Sequence, residues 1–218
     1  NMRSKLFYSL RTLYTFAVKK EIVTKNVALP MDFIRMPKKE RSYLTENEVE
    51  MLIEEIPSRL IQLMATFLFN TGLRISECLH LKMDDVDLEK RTIYVHEGKG
   101  GKDRIVPINE KLYGLLMDYR DNWRESYKSD FFFSTKKSGC VSYSYANSSI
   151  RNAAKKAGID KSVSCHLLRH SFASALVKRK VGVVEISKLL GHSSLAVTSI
   201  YTHTNLEALT EAVNALSL

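Results

Sequence analysis

The run His166-Leu-Leu-Arg169-His170, followed downstream by Gly191-His192 and then by Tyr201, organises the chain. Positions i, i+3 and i+4 share one face of a helix, so His166, Arg169 and His170 are expected to converge. Ser164 stands where such a helix would be capped. Residues 184–190 read as a short helix stopped by Gly191, and His192 follows at once. Ser194 would cap a further helix over 195–201, ending on Tyr201. Imidazoles, a guanidinium and a phenol in so short a span are side chains suited to handling a phosphate.

Outward from that stretch, Thr71-Gly72-Leu73-Arg74-Ile75-Ser76-Glu77 places Arg74 just past a helix stop, at a junction where a new short helix starts at Ile75. Leu60, Ile61, Leu63, Met64, Phe67 and Leu68 form the wide apolar stripe of the helix that Ser58 starts and Gly72 stops. Thr45 followed by Glu48 has the pattern of a capping box opening the helix before it. Residues 91–108 read as a hairpin, with Ile93 and Val95 alternating and Lys99 and Lys102 at a glycine-rich turn. A helix is expected over 109–127, a short strand or apolar plug at Phe131-Phe132-Phe133, and another helix over 144–157 closed by Gly158. Leu206, Leu209, Val213 and Leu216 make one narrow apolar seam on a terminal helix, fit to fold back on its own core or to dock on a second copy.

Charge divides the chain. The net charge of 218 residues is +9. Residues 1–41 hold ten Lys and Arg against three Asp and Glu, whereas residues 42–218 are nearly balanced at 23 against 21. A basic segment joined to a near-neutral one points to a polyanionic partner, with nucleic acid foremost. In residues 3–20 apolar positions Leu6, Leu10, Leu13, Tyr14 and Ala17 recur with helical spacing, ringed by Arg3, Lys5, Arg11, Lys19 and Lys20. Residues 26–41, with Pro30, Pro37 and the run Lys38-Lys39-Glu40-Arg41, read as a linker. Two domains are expected, 1–40 and 41–218. Three cysteines, Cys78, Cys140 and Cys165, with no close-spaced pair argue for free thiols in a reducing compartment. No apolar run nears the roughly 18 residues of a membrane span, so a cytoplasmic, nucleoid-associated protein that does not enter a membrane is expected.

Several chemistries compete for these residues. Zinc hydrolysis would require a glutamate directly after His166, where Leu167 stands, and Arg169 would repel a cation. A non-catalytic DNA-binding protein would share the charge and the helices but has no use for the phenol. Cleavage of a phosphodiester uses the whole set. Arg74 and Arg169 can hydrogen-bond the non-bridging oxygens, Tyr201 can attack with His166 as base, and Lys99 can protonate the departing oxygen. The covalent ester so formed conserves the bond energy, so neither a metal nor a cofactor is expected.

These motifs resemble the tyrosine recombinase, or phage integrase, family in order and spacing over roughly residues 42–218. They are Thr-Gly-Leu-Arg74-Ile-Ser-Glu77, the Gly-Lys99-Gly hairpin with Arg104-Ile-Val-Pro107, His166-Leu-Leu-Arg169-His170, Leu-Gly-His192 and Tyr201. The resemblance implies a mainly helical catalytic domain with a small antiparallel sheet, preceded by the end of a helical core-binding domain. It implies that Arg74, Arg169, His166 and His192 bind and activate the scissile phosphate and that Tyr201 forms a 3′-phosphotyrosyl link to DNA. Lys99 would be the general acid with Lys102 the second choice, Glu77 would support the site from behind, and His170 would be structural. Arg3, Lys5, Arg11, Lys19, Lys20, Lys38, Lys39, Arg41 and Arg104 would contact double-stranded DNA. A homotetramer joined through helix 205–218, with accessory DNA-bending proteins, completes the expectation. A type IB topoisomerase uses a similar Arg, Lys, His and Tyr set and stands as the alternative.

Overall fold

Leu60 to Leu68 become part of the central helix of a computed structural model that describes residues 2–30, 42–98, 102–124, 129–136, 139–191, 206–214 and 216. The chain divides into two compact units, Asn1–Arg41 and Ser42–Leu218.

In the first unit, α1 (Met2–Lys19) is followed by turns over residues 20–30. Its inward stripe is Phe7, Leu10, Arg11, Tyr14, Ala17 and Val18, while Leu6 and Leu13 stay exposed. The stripe differs from the expected one because Arg11 takes part in it. Its guanidinium donates to the carbonyls of Ala28 and Leu29 and lies over the Phe7 ring, and Asn26 donates back to the Arg11 carbonyl. These bonds tie the helix to the turns beside it.

In the second unit, α2 (Glu46–Glu54) opens with the expected capping box, Thr45 and Glu48 bonding each other's backbone N–H. α3 (Arg59–Thr71) starts at Ser58 and is buried on every side from Leu63 to Thr71. It packs against α2 and against the later helices Glu110–Asp118, Tyr143–Lys156 and Cys165–Lys178. It stops at Gly72, which is left-handed with φ of 64°. A Cβ there would come within 2.4 Å of the Phe172 ring, so only glycine fits both the turn and the packing. Two further helices follow in order along the unit, α4 (Ile75–His80) and α5 (Glu110–Asp118).

Between them lies a three-stranded antiparallel sheet of β1 (Val86–Asp87), β2 (Thr92–Gly98) and β3 (Lys102–Pro107), in that spatial order. The first strand is too short to show alternation, so it was not among the expected elements. Ile93 pairs with Val106 and Val95 with Arg104, and the register shifts between Val95 and Gly98. Ile93, Val95 and Val106 face the core, and Tyr94 and Ile105 face outward.

The helix expected over 109–127 is shorter. After α5 the chain widens into a π-helical turn, Tyr119–Trp123. The cause lies in the neighbouring plug. The Tyr119 hydroxyl donates to the Phe132 carbonyl and accepts from the Ser134 N–H, and Arg124 donates to the carbonyls of Ser129, Phe131 and Phe132. Phe132 and Phe133 are buried against Tyr119, and Phe133 also against Phe67. The remaining helices are α6 (Tyr143–Lys156), α7 (Cys165–Lys178), α8 (Val183–Leu190) and α9 (Leu206–Asn214). Leu209, Ala212, Val213 and Leu216 are buried where α9 packs on β3 and α8. Of the expected seam, Leu209, Val213 and Leu216 therefore cover the core of their own unit, and the side chain of Leu206 lies outside the described residues. No described helix is long and apolar enough to cross a membrane.

Candidate active site

Helix ends bring the arginines together. Arg74 is the residue before α4, and Glu77, three positions on, reaches back to accept from the Arg74 backbone N–H at 2.7 Å. The same carboxylate accepts from Arg74 Nη1 at 2.6 Å. From the other side Arg104 on β3 closes a fork on it, Nη1 to Oε1 at 3.0 Å and Nη2 to Oε2 at 2.7 Å. Burial alone would raise the Glu77 carboxyl. Hydrogen bonds from Arg104 and from the Arg74 backbone and side chain outweigh it and bring the group down to about 2.

Arg169 on α7 is 4% exposed. Its Nη1 donates to the Gly72 carbonyl and its Nη2 to the Leu190 carbonyl, each at 2.6 Å. Those carbonyls lie at the ends of α3 and α8, where helix carbonyls lack partners in the helix itself and carry the negative end of the dipole. Burial lowers Arg169 to about 10, helped by the nearby Arg74 and Arg104 charges and opposed by Glu77. It stays cationic at neutral pH.

The cluster thus holds three guanidiniums and one carboxylate. Among the described residues no second carboxylate bonds Arg74, Arg104 or Arg169. Arg74 keeps 24% of its side chain exposed. Three guanidiniums around one carboxylate leave the cluster with excess positive charge, and Arg74 is the one most open to solvent. Among the described residues no three His, Cys, Asp or Glu side chains gather as metal ligands would.

The α7 face does not converge in the way periodicity alone implies. His166 is exposed and His170 half-buried, and their rings meet edge to face at 4.6 Å. Arg169 turns inward instead, because the two helix-end carbonyls offer its guanidinium better partners than imidazoles would. Arg104, expected at the DNA, has only 8% of its side chain exposed and is bonded within the unit. Its inward turn was legible in the alternation: Arg104 and Val106 share one face of β3, the face that packs on the core. In the first unit Arg11 is likewise bonded to backbone, whereas Lys5, Lys19 and Lys20 are exposed. Cys78 and Cys165 are buried free thiols and Cys140 is half-buried. Burial holds Cys78 well above the ordinary thiol range and Cys165 at about 11. Lys38, Lys39, Lys99, Arg41, His192 and Tyr201 lie outside the described residues, as does the helix expected over 195–201. So do the side chains of Arg3 and Lys102.

Residues 42–208 match the Phage integrase family. The chain belongs to that family. Similarity to individual proteins runs beyond the matched segment. The chain is 38% identical over 187 residues to the tyrosine recombinase XerA of Pyrococcus furiosus, covering 84% of this chain and 65% of that protein. It is 32% identical over 225 residues to the tyrosine recombinase XerC of Pediococcus pentosaceus, covering 96% of this chain and 73% of that one. It therefore spans somewhat less than two thirds of the length of the XerA relative. In structure it is similar to the XerH site-specific recombinase bound to palindromic difH substrate in a post-cleavage complex. That match has a TM-score of 0.68 at 26% identity and covers 92% of this chain and 63% of that chain.

Proposed function

We propose that this phage integrase family chain is the catalytic part of a site-specific DNA recombinase, acting through a covalent tyrosyl intermediate. One observation carries the reading beyond family membership: Glu77 is the single described carboxylate bonded within a cluster of three guanidiniums. The unbalanced positive charge suits a phosphodiester, and more so the extra charge of its pentacoordinate transition state.

In the step we propose, the Tyr201 oxygen attacks phosphorus and the phenolic proton passes to His166. A phosphorus–oxygen bond to tyrosine forms as the bond to the 5′ oxygen breaks, and Lys99 returns a proton to that oxygen. Arg74, Arg169 and His192 stabilise the non-bridging oxygens. A free phenol, with pKa near 10, is a weak nucleophile at neutral pH, so the step calls for a base. One phosphoester replaces another, so a 5′ hydroxyl from a second strand can reverse the step without ATP or a metal. Double-stranded DNA is the partner, as the XerH relative is bound to its substrate. Assembly into a tetramer through α9 would require Leu209, Val213 and Leu216 to leave the surface that they cover within their own unit.

The test is a nicked suicide duplex carrying DNA that flanks the gene. The wild-type chain should form a denaturant-stable protein–DNA adduct and Tyr201→Phe should form none. An adduct with Tyr201→Phe overturns the assignment. Relaxation of supercoiled DNA with no dependence on a site would move the chain to the topoisomerase alternative.

A further inference from the structure

We infer that Arg104 is a positioning residue for strand cleavage. It locks Glu77, and through it Arg74, to the end of α8 that leads into His192. The inference rests on the recombinase reading above but concerns a side chain that touches no substrate in it.

All three nitrogens of the Arg104 guanidinium are engaged. Nη1 and Nη2 fork onto Glu77, and Nε donates to the Leu189 carbonyl at 2.9 Å. These partners lie 27 and 85 residues away in sequence, on α4 and α8. Gly191 supplies an independent sign that the backbone is shaped around this side chain. It ends α8 with φ of 62°, and a Cβ on it would lie 3.0 Å from Arg104 Nη1, 3.1 Å from Cδ and 3.2 Å from Cζ. The arginine lies across the glycine, and a side chain there would push it off Glu77.

The next carbonyl of α8 repeats the device from the opposite side. Leu190 accepts from Arg169 on α7, as Leu189 does from Arg104 on β3. Two guanidiniums thus hold the last carbonyls of α8 immediately before Gly191 and His192. Arg104 also fixes β3, which follows Lys99 closely in the sequence. A lysine could neutralise Glu77 but lacks the planar fork that grips the carboxylate while Nε holds Leu189. One side chain therefore sets the spacing of three elements that bear the proposed site residues, and a misplacement of about 1 Å in such a site costs on the order of 100-fold in rate.

The test compares Arg104→Met and Arg104→Lys in the full chain, measuring adduct formation on the suicide duplex and duplex affinity by fluorescence anisotropy. Arg104→Met should slow adduct formation about 100-fold while affinity stays within about threefold, a margin well inside one tenfold step of binding energy. Arg104→Lys should recover part of the rate. Wild-type rate in Arg104→Met, or parallel loss of rate and affinity, overturns the inference, the second making Arg104 a DNA contact. If Arg104→Met unfolds, Arg104→Lys decides alone: a slower rate at unchanged affinity supports the role and a wild-type rate overturns it. If the wild-type chain forms no adduct, the recombinase reading fails by itself. Hydrogen exchange then judges the strut, with the amides of residues 188–191 expected to exchange faster in Arg104→Lys and unchanged exchange overturning it.

Discussion

Glu48 and Glu77 occupy the same place in the same local motif. Each is the third residue of a helix and reaches back to the backbone N–H of the residue before the helix, at 2.7 Å in both cases. Each also takes a cation from a distant segment, Lys161 for Glu48 and Arg104 for Glu77. They differ in what precedes the helix and in how deep they lie. Before α2 stands Thr45, whose hydroxyl caps the helix. Before α4 stands Arg74, whose side chain supplies no cap and bonds the glutamate instead. Side-chain exposure is 25% and 30% for Glu48 and Lys161, against 10% and 8% for Glu77 and Arg104. One local pattern therefore makes a helix start near the surface and, when buried among guanidiniums, the anchor of a candidate active site.

Removing the two carboxylates separates these roles. Glu77→Ala leaves Arg104 buried without its counter-charge, and the expected loss is about 3–5 kcal/mol in urea unfolding. A loss under about 1 kcal/mol would make the two glutamates equivalent. The pH dependence sharpens the same contrast. Glu77 falls from its ordinary 4.5 to about 2 on folding, so its charge stabilises the fold above pH 4.5 and that contribution disappears as pH drops toward 2. The linked stability amounts to about 3 kcal/mol. The urea midpoints of wild type and Glu77→Gln should therefore approach each other over that range, and a constant gap would contradict it.

Glu48→Ala should cost about 1 kcal/mol, the scale of a lost helix cap. It should also leave adduct formation at the wild-type rate. A cleavage defect there would show that α2 also positions the site. Lys161→Met should have the smallest effect, below about 1 kcal/mol and weaker still at high salt. A larger, salt-insensitive loss measured by urea unfolding would place that pair in the same class as Glu77 and Arg104.

Most of the fold was legible because its determinants are local. Helical spacing with Ser58 and Gly72 bounds α3, Thr45 and Glu48 start α2, Ser164 starts α7, and Gly191 stops α8. The antiparallel pairing of β2 and β3 follows from their alternation. Periodicity also placed Arg74 at a helix junction and His166 beside His170. What it missed was set by partners far off in the chain. The π-helical turn at Tyr119 depends on carbonyls of the Phe131–Phe132 plug. Arg169 leaves the histidine face for carbonyls 97 and 21 residues away, and Arg11 leaves solvent for the turn at Ala28. The α9 seam fitted two surfaces equally well by spacing, and only packing put it on β3 and α8.

The sequence by itself thus determined which segments become helix and strand and which residue types could hold a phosphate, because capping, glycine turns and periodicity act over a few residues. Alternation along β3 already pointed Arg104 inward, but tertiary structure decided what it and Arg169 would bond and left Arg74 the most open of the three. A guanidinium can open to solvent or brace the frame, and what chooses between them is the set of helix-end carbonyls and the one carboxylate that folding brings within its reach.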